Sequence, residues 1–134
     1  ANLDTANLER ANLSNANLRG VDLDGVAGSG ANLMGADLNN AMMWRSSWIK
    51  TNFRNAVLKN ADLSGSLLMN ADFRGADLRY TELTRTYLNG ANFSGTDLST
   101  VIGLGRILDE GKLKGCPSAL PAGFVCENKT IKEL

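Results

Sequence analysis

Histidine is absent from this chain. That removes the side chain best suited to general acid–base work near neutral pH, and the commonest nitrogen ligand for metals. The two cysteines, Cys116 and Cys126, do not have CxxC spacing, so a four-ligand zinc site cannot be assembled. No Ser or Cys nucleophile has a base beside it in the pattern. No apolar run approaches the length of a membrane span, so no membrane insertion is expected. Fourteen Lys and Arg balance fourteen Asp and Glu, giving a formal net charge of zero. The chain therefore offers no polycationic surface for nucleic-acid phosphates and no uniformly acidic one. These absences disfavour an enzyme, a cofactor or a metal centre, and direct attention to architecture.

What the chain does have is a five-residue phrase, written twenty times from Ala1 to Thr100 without a register slip. It opens Ala1-Asn2-Leu3-Asp4-Thr5 and still reads Thr96-Asp97-Leu98-Ser99-Thr100 at its end. We name the five slots small, polar, central, outer and corner. The central slot is Leu or Phe except at Gly28, Met43 and Trp48. Five residues of α-helix rotate roughly 500°, which scatters a period-five leucine around the helix. In a strand, an odd period throws successive leucines onto opposite faces. The leucines stay together only if the chain turns once per repeat. The corner slot agrees, carrying Gly or Asn in thirteen of twenty repeats, the residues that best tolerate the positive φ of a type II turn.

A chain that turns and stacks on itself is a β-solenoid. With four repeats per coil, residues twenty apart lie above one another. Phe53, Phe73 and Phe93 then form one column, and Gly28 lies under Trp48. Asn12, Asn32, Asn52 and Asn92 share a column interrupted by Asp72, which predicts coil-to-coil amide ladders. With three repeats per coil these columns dissolve.

The phrase A-[N/D]-L-x-x, repeated this often, resembles the pentapeptide-repeat family over residues 1–100. The resemblance implies an all-β fold: a right-handed quadrilateral β-helix of about five coils, with central and small residues pointing inward. It also implies two alternatives for function. One is a non-catalytic structural or protein-interaction module. The other is a mimic of duplex DNA that binds topoisomerases, which zero net charge disfavours.

The outward slots carry what is individual to this chain. One face holds Ala27, Ile49, Leu67, Met69 and Tyr87, with Met42 and Trp44 adjoining. Scattered surface hydrophobes are ordinary, but a contiguous set marks a contact surface. Met42, Trp44, Ile49, Leu67, Met69 and Tyr87 are therefore the candidate protein-contact patch. Another face bears Asp4, Asp22, Asp24, Asp62 and Glu82 with no base in its polar and outer slots, while Arg19, Arg54, Lys59, Arg74 and Arg79 mark two others as positive. Asp77 and Asp97 stack, but two carboxylates make a weak cation site.

After Thr100 the phrase stops. Val101, Ile102, Leu104, Ile107, Leu108 and Leu113 recur at helical spacing behind Ser99 and Thr100, predicting a short α-helical C-terminal cap. Residues 101–134 are thus expected to cover the open coil end, with Phe124 and Val125 packing down. Cys116 and Cys126 are either two free thiols or a disulfide closing a loop that contains Pro117, Pro121 and Gly123; the loop's need for a clamp favours the disulfide. A disulfide, and a layout similar to lumenal members of the family, place the chain in an extracytoplasmic, oxidising compartment, thylakoid lumen or periplasm. Because Ala1 opens in mid-pattern, upstream residues are expected, and the bare first coil allows either a monomer or an end-to-end dimer.

Overall fold

A left-handed corner recurs every five residues and shapes the whole chain. The computed structural model describes residues 2–104, 113–128 and 130–134. Every corner residue from Thr5 to Gly95 has φ between 52° and 73°. Each corner reverses the backbone, so four repeats close a square. Parallel bridges then join residue i to i+20, beginning with Asn2 and Asp22, Asn7 and Ala27, Asn12 and Asn32, and Asn17 and Asp37. The fourfold register expected from the phenylalanines is the observed one.

The hydrogen bonds follow one rule per slot. The central N–H donates to the polar-slot carbonyl of the next coil, as Leu33 does to Asn52 at 2.8 Å. The corner N–H donates to the outer-slot carbonyl of the next coil, as Gly35 does to Arg54 at 2.9 Å. The polar-slot N–H donates to the small-slot carbonyl of the coil before, as Asn52 does to Ala31 at 3.0 Å. The small N–H closes its own turn onto the preceding central carbonyl, Ala36 onto Leu33 at 3.0 Å. One N–H per repeat, that of the outer slot, is left over.

The polar slot supplies its partner. In fourteen repeats the Asn, Asp or Glu side chain accepts the N–H two residues on, from Asn2 and Asp4 (2.8 Å) to Asp97 and Ser99 (2.8 Å). This corrects the amide ladders expected from the stacked asparagines. A polar-slot oxygen reaches a donor in its own repeat, and the resulting Asx turn is local.

The interior is a dry column. Leu23, Leu33, Leu38, Leu58, Leu63 and Leu68 are fully buried, each contributing roughly 1.5–3 kcal/mol. Phe53, Phe73 and Phe93 stack with centroids 4.8 and 4.6 Å apart and planes within 2°. Trp48 meets Phe53 edge-on at 5.9 Å. It occupies the volume that Gly28 leaves open in the coil below, where a Cβ would overlap the indole ring. The Trp48 indole N–H donates to Ser46 Oγ at 2.6 Å. Buried small-slot hydroxyls find backbone carbonyls, Thr51 on Gly28 (3.0 Å), Ser66 on Met43 (2.8 Å) and Thr81 on Leu58 (2.8 Å). No buried side-chain polar atom among the described residues lacks a partner.

The first four residues of the tail, 101–104, are not helical, contrary to expectation. Val101 and Ile102 continue the coil: Ile102 bridges Glu82, and Leu83 N–H donates to the Ile102 carbonyl at 2.8 Å. The free carbonyls and N–H groups of the coil end compete with helix capping at Ser99 and Thr100, and they prevail. Gly103, at φ 88°, lies so close to Thr84 that a Cβ there would sit 2.7 Å from the Thr84 Cα. Ile107 and Leu108, the middle of the expected helix, lie outside the described residues. Further on, Lys114 bridges Asn92 and Ala119 bridges Asp97, so these parts of the tail add strand pairing to the last coil.

Two antiparallel strands follow, β1 (Phe124–Glu127) and β2 (Thr130–Glu133), paired from Phe124 with Glu133 to Glu127 with Thr130. Ile131 is buried, and Phe124 and Cys126 pack half-buried against the core. Val125, expected to pack beside Phe124, is not among the residues on the core, because alternate side chains of a strand point to opposite sides. A disulfide joins Cys116, beside the last coil, to Cys126 in β1, with Cα atoms 5.8 Å apart.

Two substitutions test this core. Leu68→Ala removes a fully buried side chain and is expected to cost roughly 2–5 kcal/mol in chemical denaturation. Gly28→Ala is expected to cost about 1–3 kcal/mol through overpacking, and much less when Trp48 is also changed to Leu. Equal costs in both backgrounds would disprove the Gly28–Trp48 fit.

Candidate interaction face

The four corners divide the outside into four faces, each a stack of polar and outer slots. The first face carries the bridged column Asp22, Met42, Asp62, Glu82 and Ile102 beside the outer residues Asp4, Asp24, Trp44, Ser64 and Thr84. The second carries Ala27, Ser47, Leu67 and Tyr87 in one bridged column, beside Ser29, Ile49, Met69 and Asn89. The square coil thus brings the six candidate patch residues onto two adjoining faces.

Their exposure differs. Met42 (43%), Trp44 (44%) and Tyr87 (59%) project into solvent, whereas Ile49, Leu67 and Met69 are half-buried on the second face. Ile102, 49% exposed, extends the apolar set one level above Glu82. Reading the tail as a helix hid it. The signal was the dipeptide Val101-Ile102 in small and polar slots of a further repeat. Met34, also exposed, stands on the third face, and exposed Tyr80 on the corner between the fourth face and the first.

The second face gives up the turn cap that most repeats use; outside it, Val57 on the fourth face likewise leaves the Lys59 N–H without a side-chain acceptor among the described residues. Above Asn7 its polar slot holds Ala27, Ser47, Leu67 and Tyr87, and no side-chain acceptor among the described residues reaches the N–H of Ser29, Ile49, Met69 or Asn89. At Met42 on the first face the loss is repaired from below: Asp24 Oδ1 accepts the Trp44 N–H at 3.1 Å. A hydrogen bond of this kind contributes about 0.5–1.5 kcal/mol. Apolar residues in these slots therefore work against the fold's own stability.

Trp44 forms one wall of an open cleft of about 280 Å³ lined by Asp4, Asp24, Gly25 and Arg45. The Arg45 guanidinium lies 5.5 Å from the centre of the indole ring, within cation–π range. Burial pushes the Asp24 carboxyl above its ordinary pKa; the hydrogen bonds from Trp44 oppose this and the neighbouring Asp22 charge adds to it.

Three acids of the third and fourth faces are neutralised in place. Arg19 pairs with Asp37 at 3.1 Å, Arg74 with Asp72 at 2.7 Å and Arg79 with Asp77 at 2.6 Å. The Arg74 and Arg79 guanidiniums hold Asp72 and Asp77 below the usual carboxylate range, and the hydroxyl of Ser99 does the same for Asp97. Among the described residues, none of Asp4, Asp22, Asp24, Asp62 and Glu82 has an ion-pair partner. No cluster of three or more His, Cys, Asp or Glu side chains that could hold a metal occurs among the described residues. Among them, no helix is long and apolar enough to cross a membrane.

Asp24 and Asp77 give opposite pH signatures. A raised folded-state pKa means that ionising Asp24 destabilises the fold once pH passes its unfolded value. Asp24→Asn keeps the acceptor for Trp44, so it is expected to raise the melting temperature at pH 7 and to change nothing below about pH 3. The depressed pKa of Asp77 stabilises the fold above the unfolded value and is lost as pH falls through the folded one. Asp77→Asn, which retains the turn cap, is expected to lower the melting temperature at pH 7 and to converge with the parent in acid. Thermal melts across pH check both; matching profiles would remove the assigned causes.

Comparison with known proteins follows the same lines. Pentapeptide repeats match in eight copies across residues 1–27, 31–68 and 66–102. The chain is similar in structure to a pentapeptide repeat protein, Rfr23, from the cyanobacterium Cyanothece 51142, with 31% identity, a TM-score of 0.65 and coverage of 66% of this chain and 60% of that one. A pentapeptide repeat protein of the Arabidopsis thaliana thylakoid lumen matches at 24% identity and a TM-score of 0.35, covering 72% of this chain and 64% of the other. QnrB1, a plasmid-mediated fluoroquinolone resistance protein, matches at 22% identity and a TM-score of 0.42, covering 75% and 62%. The chain thus spans less than two thirds of the length of each of these three. No curated protein matches. Four-sided stacking, capped turns and repeats matched over most of the length agree with the right-handed quadrilateral β-helix that the family match and the Cyanothece neighbour imply, and the chain belongs to the pentapeptide-repeat family.

Proposed function

We propose that this chain is a non-catalytic protein-interaction module whose contact surface is the field of Met42, Trp44, Ile49, Leu67, Met69 and Tyr87. The observation that carries the reading is the missing turn caps of the second face. A purely structural tower would not gather four of the five unrepaired turns among the described repeats onto one face, since each Asx turn satisfies the one N–H that stacking leaves free. Apolar residues there lower stability and gain a surface that excludes water against a partner. Trp and Tyr are also the side chains that most often anchor such contacts.

In this reading residues 1–100 form the interaction rod, and 101–134 form the cap, with the Cys116–Cys126 disulfide fastening β1 to the last coil. The disulfide favours an oxidising, extracytoplasmic compartment such as a thylakoid lumen or periplasm. Mimicry of duplex DNA is the weaker alternative, because Asp37, Asp72 and Asp77 on the third and fourth faces are paired with arginines and the net charge is zero.

The double variant Trp44→Ser/Ile49→Ser tests the reading. Both side chains lie outside the core, so circular dichroism and melting are expected to stay close to the parent. Affinity capture from native extract is expected to lose its specific partner band. Capture of the same partner at the same yield would refute the assignment of the face.

A further inference from the structure

Building on the interaction-face reading, we propose that the occupant of this surface is an amphipathic helix of a partner protein, with apolar residues along one stripe and Lys or Arg residues beside it. Three features of the face point to that chemistry. The first is the vertical order of the first face, where Met42 lies in one bridged column between Asp22 below and Asp62 above, and Trp44 stands over Asp24. Apolar side chains here are framed by carboxylates.

The second is charge. The five acids of the first face have no ion-pair partner among the described residues, while those at Asp37, Asp72 and Asp77 on the other faces are neutralised. The corner on the far side of the first face, Gly20, Asn40, Asn60, Tyr80 and Thr100, is uncharged. Arg45 and Arg85 on the corner shared with the second face only partly offset five carboxylates, and Arg45 is folded over Trp44. An apolar surface bordered by unpaired carboxylates discriminates for cations next to the partner's apolar residues, and against acidic ones.

The third is the backbone. Coil-to-coil bonds already use the central, corner and polar-slot N–H groups along these faces, so a partner strand cannot extend a sheet sideways from them. The uncapped outer N–H groups of the second face, one per coil, do not form the donor and acceptor ladder a partner strand needs. Docking therefore comes chiefly through side chains, which suits a helix. Asp22 and Asp62 are two coils apart, about 10 Å, and residues i and i+7 of a helix are about 10.5 Å apart. Lys or Arg residues two turns apart along one edge of the apolar stripe would meet Asp22 and Asp62 while the stripe covers Met42 and Trp44.

The test uses the whole chain and three synthetic helical peptides sharing one Leu/Phe stripe, with Lys, Gln or Glu at the flanking positions. Trp48 is fully buried and Trp44 is exposed, so tryptophan quenching and wavelength shift report on Trp44. The Lys peptide is expected to bind at least about tenfold more tightly than the Gln peptide at low salt, and to lose that advantage at about 0.5 M NaCl, where screening acts within a few ångströms. The Glu peptide is expected not to bind. Asp22→Asn/Asp62→Asn retains both turn caps and is expected to equalise the Lys and Gln peptides. Equal affinity for Lys and Gln peptides with the parent protein, or no binding of any peptide, overturns the basic-helix inference. In either case the Trp44→Ser/Ile49→Ser capture experiment decides the interaction face separately. Concentration-dependent self-association in sedimentation, abolished by Trp44→Ser, would make a second copy the occupant and also overturn the inference.

Discussion

A left-handed residue at every fifth position is the constraint on which the rest of this structure depends. It costs roughly 1 kcal/mol wherever the corner is neither Gly nor Asn, as at Thr5, Arg10, Arg45, Lys50, Tyr80 and Arg85. The coil tolerates this because the corner N–H is also a coil-to-coil donor, Arg45 to the Ser64 carbonyl at 2.9 Å and Lys50 to the Met69 carbonyl at 3.0 Å. Turning out of the left-handed well at one corner would misplace that donor and the whole side that follows. Local strain is therefore held by non-local bonding, and the square persists through corners whose own preference opposes it. The same geometry brings successive central residues to one axis and leaves room beside them only for Ala, Ser, Thr or Val.

Much of this was legible in the sequence because period arithmetic is unforgiving. A period of five excludes helix and strand, and the twenty-residue spacing of Phe53, Phe73 and Phe93 selects four sides. Pairing of the only central Gly with the only central Trp added a volume argument that the packing of Trp48 over position 28 repeats in atomic detail. Two things were less visible. Stacked asparagines suggest ladders, but residue identity does not say whether an amide reaches up the column or along its own turn. The tail was harder, because Val101, Ile102 and Leu104 fit a helical spacing and a solenoid slot equally well. Only the unpaired groups of Thr81 and Leu83 decide between them, and those belong to the coil beneath.

The candidate face divides in the same way. Its members could be grouped from slot and coil number alone, and the structure places Ala27, Ser47, Leu67 and Tyr87 in one bridged column. What the slots could not convey was cost. Seeing that the second face lacks its turn caps requires knowing that the polar slot caps a turn. Nor did sequence separate free acids from bound ones. The arginines two residues after Asp72 and Asp77 curl back onto them, so faces that look positive by residue count carry little free charge.

That neutralisation sharpens the first face. In a chain of zero net charge, the unpaired acidic column is balanced by basic residues elsewhere, among them Arg54 and Lys59 on the third and fourth faces and the lysines after Thr100. The solenoid makes the separation possible. Its four sides are built by different residues of the same coil, so one side can change its chemistry without disturbing the shared core. Stability resides in the central and small slots; the proposed selectivity for a partner rests on two adjoining columns of outward slots. The apolar residues there forgo hydrogen bonds that each contribute about 0.5–1.5 kcal/mol, and a surface kept at that cost is best accounted for by what it contacts.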